Sequence, residues 1–186
     1  FLQAFPDVRA LADATQEEVM ALWSGLGYYS RARNLHACAQ QVRDVHGGEF
    51  PRSSADLVKL PGIGPSTAAA IAAFCFGERV SIFDANVRRV LARLLGFGED
   101  LASARAVRAL HDMAQQLVHA DADAADMASY TQGLMDLGAT VCTARQPRCA
   151  ACPMASLCAV AGQDLAVELP RKTKKLKRTA ESWWLL

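Results

Sequence analysis

The sequence predicts an all-α fold, and three observations carry that prediction. Apolar residues recur with helical spacing, and almost no stretch shows the strict two-residue alternation of a half-buried strand. Glycines stand where helical stretches run out, and capping residues stand where they begin. Taken in order, Thr15 and Glu18 form a capping box for a short helix that Gly25 closes. Tyr29 to His46 reads as a longer helix stopped by Gly47-Gly48, and further helices are expected at about 54–59, 66–76, 85–95, 103–119 and 124–139. No internal repeat at a solenoid period occurs, and the composition shifts only after Cys158.

A chain of 186 residues that is 52% hydrophobic can bury a core sufficient for one large domain or two small ones. It starts FLQAFPDVRALADATQEEV, with neither an initiator Met nor a basic stretch leading into an apolar one. No secretory signal is read, and the sequence is expected to begin inside a longer protein. No run approaches the length of a membrane span, which predicts a cytoplasmic protein with no membrane partner. The formal charge of +1 conceals an uneven distribution: RKTKKLKR at 171–178 carries six basic residues and no acid, leaving 14 basic against 19 acidic residues elsewhere, a balance of −5. An anion-binding surface outside that block must therefore be local. The block reads as part of a solvated basic linker over 166–180 that follows a domain spanning 1–165, and ESWWLL at 181–186 reads as the first strand of a further, cut-off domain.

LVKLPGIGPSTAAAIAAF, residues 57–74, ends a short helix at Leu60, turns at Pro61, brackets Ile63 between Gly62 and Gly64, and opens an Ala-rich helix. That is the outline of a helix-hairpin-helix. Glycines let a ligand approach the backbone, and the unpaired N–H groups and dipole at the start of the second helix suit a phosphate oxygen. A lone G-x-G is more often a plain turn between packed helices. Here Lys59 precedes the turn and the hydroxyls of Ser66 and Thr67 fall in the first helical turn. Several donors are thus expected to converge where a nucleic-acid backbone phosphate would lie.

SIFDANVRRVLARLLG, residues 81–96, sets Asp84 directly before an amphipathic basic helix. Spacing alone makes Asp84 an N-cap and makes Arg88, Arg89 and Arg93 an exposed face. A carboxylate held by helix N–H groups also stays ionised and can stabilise a neighbouring positive charge, so capping and chemistry are compatible.

Four of the six cysteines fall in CTARQPRCAACPMASLC, residues 142–158, spaced C-x6-C-x2-C-x5-C. Without an export signal this density favours metal over disulfides, and one C-x2-C pair leaves zinc open. Cys38 and Cys75, alone in Ala-rich helices, read as ordinary buried thiols.

LPGIGPSTA, then IFDANVRRVLAR, then the four-cysteine run resemble, in that order, the helix-hairpin-helix DNA glycosylases of the endonuclease III superfamily, most closely the MutY-type adenine glycosylases. GLGYYSRARNLH at 25–36 and QGLMDLGATVC at 132–142 strengthen the match, which covers nearly the whole chain to about residue 165. The resemblance implies a helix-hairpin-helix glycosylase fold with a helical barrel lobe and an iron-sulfur cluster lobe. It implies a base excision repair enzyme that removes adenine mispaired with 8-oxoguanine or guanine. It also implies that Cys142, Cys149, Cys152 and Cys158 hold a [4Fe-4S] cluster, bracing a basic loop with Arg145 and Arg148 against DNA. The partner implied is double-stranded DNA carrying A:8-oxoguanine or A:G mispairs, met by a monomer at the bacterial nucleoid.

Chemistry on a base in a duplex requires the nucleotide to be extruded into a pocket. Breaking the N-glycosidic bond then develops oxocarbenium character, which asks for an acid on the departing base and a carboxylate beside the sugar. By resemblance Asp84 is that carboxylate. Family members supply the acid as a Glu in a helix upstream of the first residue here, so this chain is expected to bind DNA without cleaving the bond. Glu17, Glu18, Glu49 and Glu78 read as surface or capping residues.

Ser66 stands where enzymes like endonuclease III carry a Lys that attacks the sugar, and a hydroxyl cannot form that Schiff base. The resemblance therefore implies a monofunctional glycosylase rather than the alternative, a pyrimidine-lesion glycosylase with lyase activity. Arg88 stands where some adenine glycosylases carry a Lys near the DNA. Tyr28 matches the tyrosine that wedges into the stack beside the oxidised guanine, and Gln132 matches a residue that contacts the flipped adenine. By themselves a Tyr pair at a helix start reads as core and a Gln on an apolar helix as solvent-facing. A catalytically silent DNA-binding module, using hairpin and cluster only, is a second alternative. A Nudix-like domain that reads the oxidised base is expected from near Ser182.

Overall fold

The computed structural model describes residues 1–173. The linker beyond Thr173 and the strand expected at 181–186 lie outside the described residues. Among the described residues there are helices and no strand, as the periodicity predicts. They are α1 (Val8–Asp13), α2 (Gln16–Leu22), α3 (Tyr29–His46), α4 (Ser54–Leu57), α5 (Pro65–Phe76), α6 (Ala85–Leu94), α7 (Ala104–Gln116), α8 (Ala124–Asp136) and α9 (Leu165–Glu168). A π-helical turn follows α8 over Leu137–Val141, and 3-10 turns cover Cys149–Ala151 and Ala155–Leu157. No described helix is long and apolar enough to cross a membrane.

The chain divides into two compact units, Phe1–Asp84 with Gln115–Met135, and Ala85–Ala114 with Asp136–Leu186. In the first unit, α1 starts where Asp7 accepts from the Ala10 N–H at 2.8 Å. The expected capping box starts α2: Thr15 N–H donates to Glu18 Oε2 at 2.8 Å, and Glu18 N–H donates to Thr15 Oγ1 at 3.3 Å. The Thr15 backbone bond holds the Glu18 carboxyl below its usual range. Both helices pack on α3 through Leu11, Ala12, Val19, Ala32 and Ala39. A second cluster, Val42, Leu57, Leu60, Ala68 and Ala72, joins α3 to α4 and α5. Glu78 does cap, accepting from Ser54 N–H at 2.6 Å and the Ser54 hydroxyl at 2.8 Å.

In the second unit α6 and α7 bury Val87, Val90, Leu91, Ala106 and Leu110. A small core of Val160, Ala166 and Leu169 packs against Cys149, Cys158 and Leu165. Residues 166–168, expected to open the linker, lie in α9, and Ala166 and the following Leu169 are buried. Even the next residues are tied down, with Leu101 N–H donating to the Arg171 carbonyl at 2.9 Å and Thr173 N–H to Asp100 Oδ1 at 3.1 Å.

Candidate functional site

The hairpin forms as the sequence predicts, but its two glycines do different work. Gly62 has φ +75°, and a Cβ there would lie 2.6 Å from the Asn34 Cβ on α3. Gly64 has φ −83° and ψ 170°, an extended backbone open to every residue type, and its Cβ direction meets nothing within 4 Å. The conformational demand therefore falls on Gly62, while Gly64 keeps the outside of the hairpin clear. Pro65 opens α5, with no side-chain cap and no acid in its first turn. The end of α5 that carries half-buried Ser66 and exposed Thr67 is thus the positive end of the helix dipole, with no acid of its own first turn against it. Lys59 is not poised beside it: its ammonium is held by Asp56 Oδ1 at 2.8 Å, and that bond keeps the Asp56 carboxyl low.

Tyr28 precedes α3 with φ 48° and ψ 49°, the one described non-glycine residue with positive φ. A bulky side chain in the left-handed region costs about 1–2 kcal/mol. Yet the ring is 77% exposed, so it recovers little by burial, which removes the reading of Tyr28 as core. The Arg31 guanidinium lies over the ring, 5.3 Å from its centroid. Tyr28, Arg31, Asn34, Gly62, Ile63 and Thr67 are among the residues lining one groove, and no acid lines it. Arg31 was not singled out by sequence, because nothing in the spacing of YYSRAR distinguishes it from Arg33.

Asp84 is half-buried and immediately precedes α6, as expected. The extended segment before it is pinned by Gln115, whose side-chain carbonyl accepts from Ser81 N–H at 3.0 Å and whose amide donates to the Arg79 carbonyl at 2.8 Å. Ser81, Ile82 and Phe83 are buried in consequence. Gln132, on α8, is exposed, and Arg88, on α6, is half-buried.

The expected exposed basic face of α6 is not what forms. Arg89 donates from Nε to the Cys142 carbonyl at 2.8 Å and from a terminal nitrogen to the Gly138 carbonyl at 2.8 Å. Arg93 is only 2% exposed. Both are drawn inward because the turn after α8 and the cysteine loop present carbonyls that have no helical partner.

None of the six cysteines is in a disulfide. Cys142, Cys149, Cys152 and Cys158 together line one small cavity, walled by Val141, Pro147, Ala155 and Val160 and by Arg93 and Arg148. Among the described residues no three His, Cys, Asp or Glu side chains converge on the position of a single ion. Four thiols around one cavity supply the all-thiolate donor set that an iron-sulfur cluster uses. Arg148 donates to the Thr140 carbonyl at 2.5 Å, and Arg145 is exposed on the same loop. Of the other two thiols Cys38 is buried as expected, but Cys75 is exposed, because it faces away from the α5 surface that packs Ala68, Ala69, Ala72 and Ala73.

Residues 1–116 match the family described as HhH-GPD superfamily base excision DNA repair protein, and residues 142–158 match the iron-sulfur binding domain of endonuclease III. The chain is 45% identical over 159 residues to the adenine DNA glycosylase of Homo sapiens, covering 85% of this chain and 28% of that protein. It is 32% identical over 189 residues to the adenine DNA glycosylase of Buchnera aphidicola subsp. Acyrthosiphon pisum, covering all of this chain and 52% of that one. It thus spans about half or less of these relatives' length. Among solved structures, a thermostable thymine-DNA glycosylase superposes with TM-score 0.71 at 28% identity, over 86% of this chain and 71% of that one. A non-covalent endonuclease III–DNA complex gives 0.67 at 26% identity, over 85% and 71%. The cofactor of the cysteine domain is a [4Fe-4S] cluster. Hairpin, helices and cysteine loop agree with these matches, and the chain belongs to the HhH-GPD superfamily of base excision DNA repair proteins, in its MutY-type branch.

Proposed function

We propose that the protein is a monofunctional DNA glycosylase that removes adenine mispaired with 8-oxoguanine or guanine, acting as a monomer on double-stranded DNA. The observation that carries the reading is Tyr28: an exposed aromatic ring held in a costly left-handed conformation, on the same groove as the hairpin, is what a wedge entering a base stack requires. The relatives that share this stretch are adenine glycosylases. In this reading the N–H groups of α5, with Ser66 and Thr67, receive a backbone phosphate that Gly62 and Gly64 allow to approach, and Lys59 exchanges Asp56 for the DNA. The exchange is easy, since a solvent-exposed ion pair is weakened by water and salt.

Asp84 stabilises the oxocarbenium-like sugar by its negative charge, held in place by α6 behind it and by the segment Gln115 pins. Gln132 contacts the extruded adenine, and Arg88 lies near the DNA. Cys142, Cys149, Cys152 and Cys158 ligate the cluster, and Arg145 and Arg148 carry their loop's charge to the phosphates. The cluster supplies a rigid cross-link; the residues around it do the binding.

Likeness to endonuclease III and to a thymine-DNA glycosylase favours a second reading, lyase action on a damaged or mispaired pyrimidine. Ser66 opposes it, having no amine to attack the sugar. Full-length protein assayed on A:8-oxoguanine, A:G, pyrimidine-lesion and undamaged duplexes separates the two. Adenine release without strand cleavage is expected; strand cleavage at a pyrimidine lesion, or binding with no base released from any duplex, would overturn the proposal.

A further inference from the structure

Arg93 is a buried cation that pairs with no carboxylate among the described residues. Its Nε donates to the Leu169 carbonyl at 3.0 Å, and its terminal nitrogens donate to Thr143 at 2.7 Å, Ala144 at 3.0 Å and the Cys142 carbonyl at 3.4 Å. One of them also reaches the Cys142 sulfur at 3.4 Å. None of the ion pairs among the described residues includes it, and no acid lines the cavity it faces. Carbonyls satisfy the guanidinium's hydrogen bonds but supply dipoles, not a neutralising charge. A buried cation without a counter-charge costs several kcal/mol. The cavity wall has two arginines among cysteines and apolar residues, which is the lining expected around an anion.

We propose that Arg93 is the built-in counter-charge of the iron-sulfur cluster: its guanidinium neutralises the cluster's net negative charge, carried largely through the Cys142 sulfur, and thereby sets how easily the cluster accepts an electron. The inference rests on the ligand assignment above. Four thiolates around a [4Fe-4S] core in its usual state leave a charge on the order of −2, and each added electron makes it more negative. A fixed positive charge at hydrogen-bonding distance from a ligand sulfur stabilises the more reduced state, as does an N–H···S bond to that sulfur. It also makes the cation and the cluster mutually dependent. Arg93 is stranded without the cluster, and the cluster loses its only fully buried counter-charge without Arg93 among the described residues. Arg93 touches neither DNA nor the reacting sugar in this account; it is a positioning and charge-setting residue.

The test uses full-length, cluster-loaded protein with Arg93→Gln and Arg93→Lys. Iron per chain is measured first, and wild type without iron would sink the cofactor assignment, an outcome distinct from any result on Arg93. The readout is then the midpoint potential of the cluster by redox titration, in low and high salt. Arg93→Gln is expected either to lose iron or to retain it with a lowered potential, while Arg93→Lys keeps both iron and a potential near wild type. The difference should persist in high salt, because burial shields the pair from ions. A Gln variant with full iron and an unchanged potential overturns the proposal. So does a Lys variant that fails as badly as the Gln variant, since that result would assign Arg93 to its carbonyl bonds alone.

Discussion

Gly62 and Asn34 approach so closely that a Cβ built on the glycine would lie 2.6 Å from the asparagine Cβ. The hairpin is thereby seated on α3, the helix whose first residue follows Tyr28. The proposed phosphate grip and the proposed aromatic wedge thus share one support, α3.

Two glycine substitutions should consequently part ways. Gly62→Val meets a positive φ and a steric block together and is expected to cost about 2 kcal/mol or more in thermal unfolding. Gly64→Val meets neither, so its stability should fall by about 1 kcal/mol or less, the difference between Gly and Val at an N-cap. Its DNA affinity should fall equally for mispaired and matched duplexes, since phosphate contacts carry no sequence information. Loss confined to the mispaired duplex would contradict the phosphate assignment.

Tyr28→Gly tests whether strain is kept for function. Glycine relieves the left-handed backbone while giving up an exposed ring, so the variant should be as stable as wild type or more stable by up to about 1 kcal/mol. Discrimination between A:8-oxoguanine and matched duplexes should nevertheless drop. A variant destabilised by more than about 1 kcal/mol would mean that the ring packs rather than wedges.

Thiol chemistry separates the two cysteines outside the loop. Burial pushes the Cys38 thiol up, which lowers its thiolate fraction at every pH near neutrality, whereas Cys75 is exposed. In cluster-loaded protein at mildly alkaline pH, mass spectrometry should find Cys75 alkylated first. Equal rates would show that α3 opens readily.

Cluster removal bears on the second unit. Anaerobically purified protein should be brown with about four irons per chain. Cys149→Ser should lose iron and soluble protein together, because Cys149 also packs on Val160, Ala166 and Leu169. One equivalent of zinc without iron would contradict the cluster assignment.

Much of this was legible from local signals. The capping box at Thr15 fixed the start of α2, and Gly47 the end of α3, to within a residue, because caps act over one turn; α2 itself stops at Leu22, short of the Gly25 that was expected to close it. α1 was missed although Asp7 offered a cap, since six residues are too few for a periodic signal. Arg93 was misread for a different reason: its carbonyl partners lie about 50 to 76 residues away in sequence, and periodicity places a cation on the outer face by default. The π-helical turn after α8 was equally hidden; within it the Gly138 carbonyl accepts from Arg89, distant in sequence. Lys59 with Asp56 three residues earlier was readable as a surface pair and was read only as a donor. The candidate site residues were chosen by the order of motifs along the chain; their partners had to come from the fold.

The central claim is that Asp84 acts by its charge and not only by its place before α6. Asn caps a helix about as well as Asp, so Asp84→Asn in the full-length protein should keep stability and DNA affinity near wild type. Single-turnover adenine release from an A:8-oxoguanine duplex should nonetheless slow by roughly two to three orders of magnitude, the loss expected when a preorganised charge opposite a developing cation is removed. A rate within a few-fold of wild type would contradict the account and leave Asp84 as a helix cap.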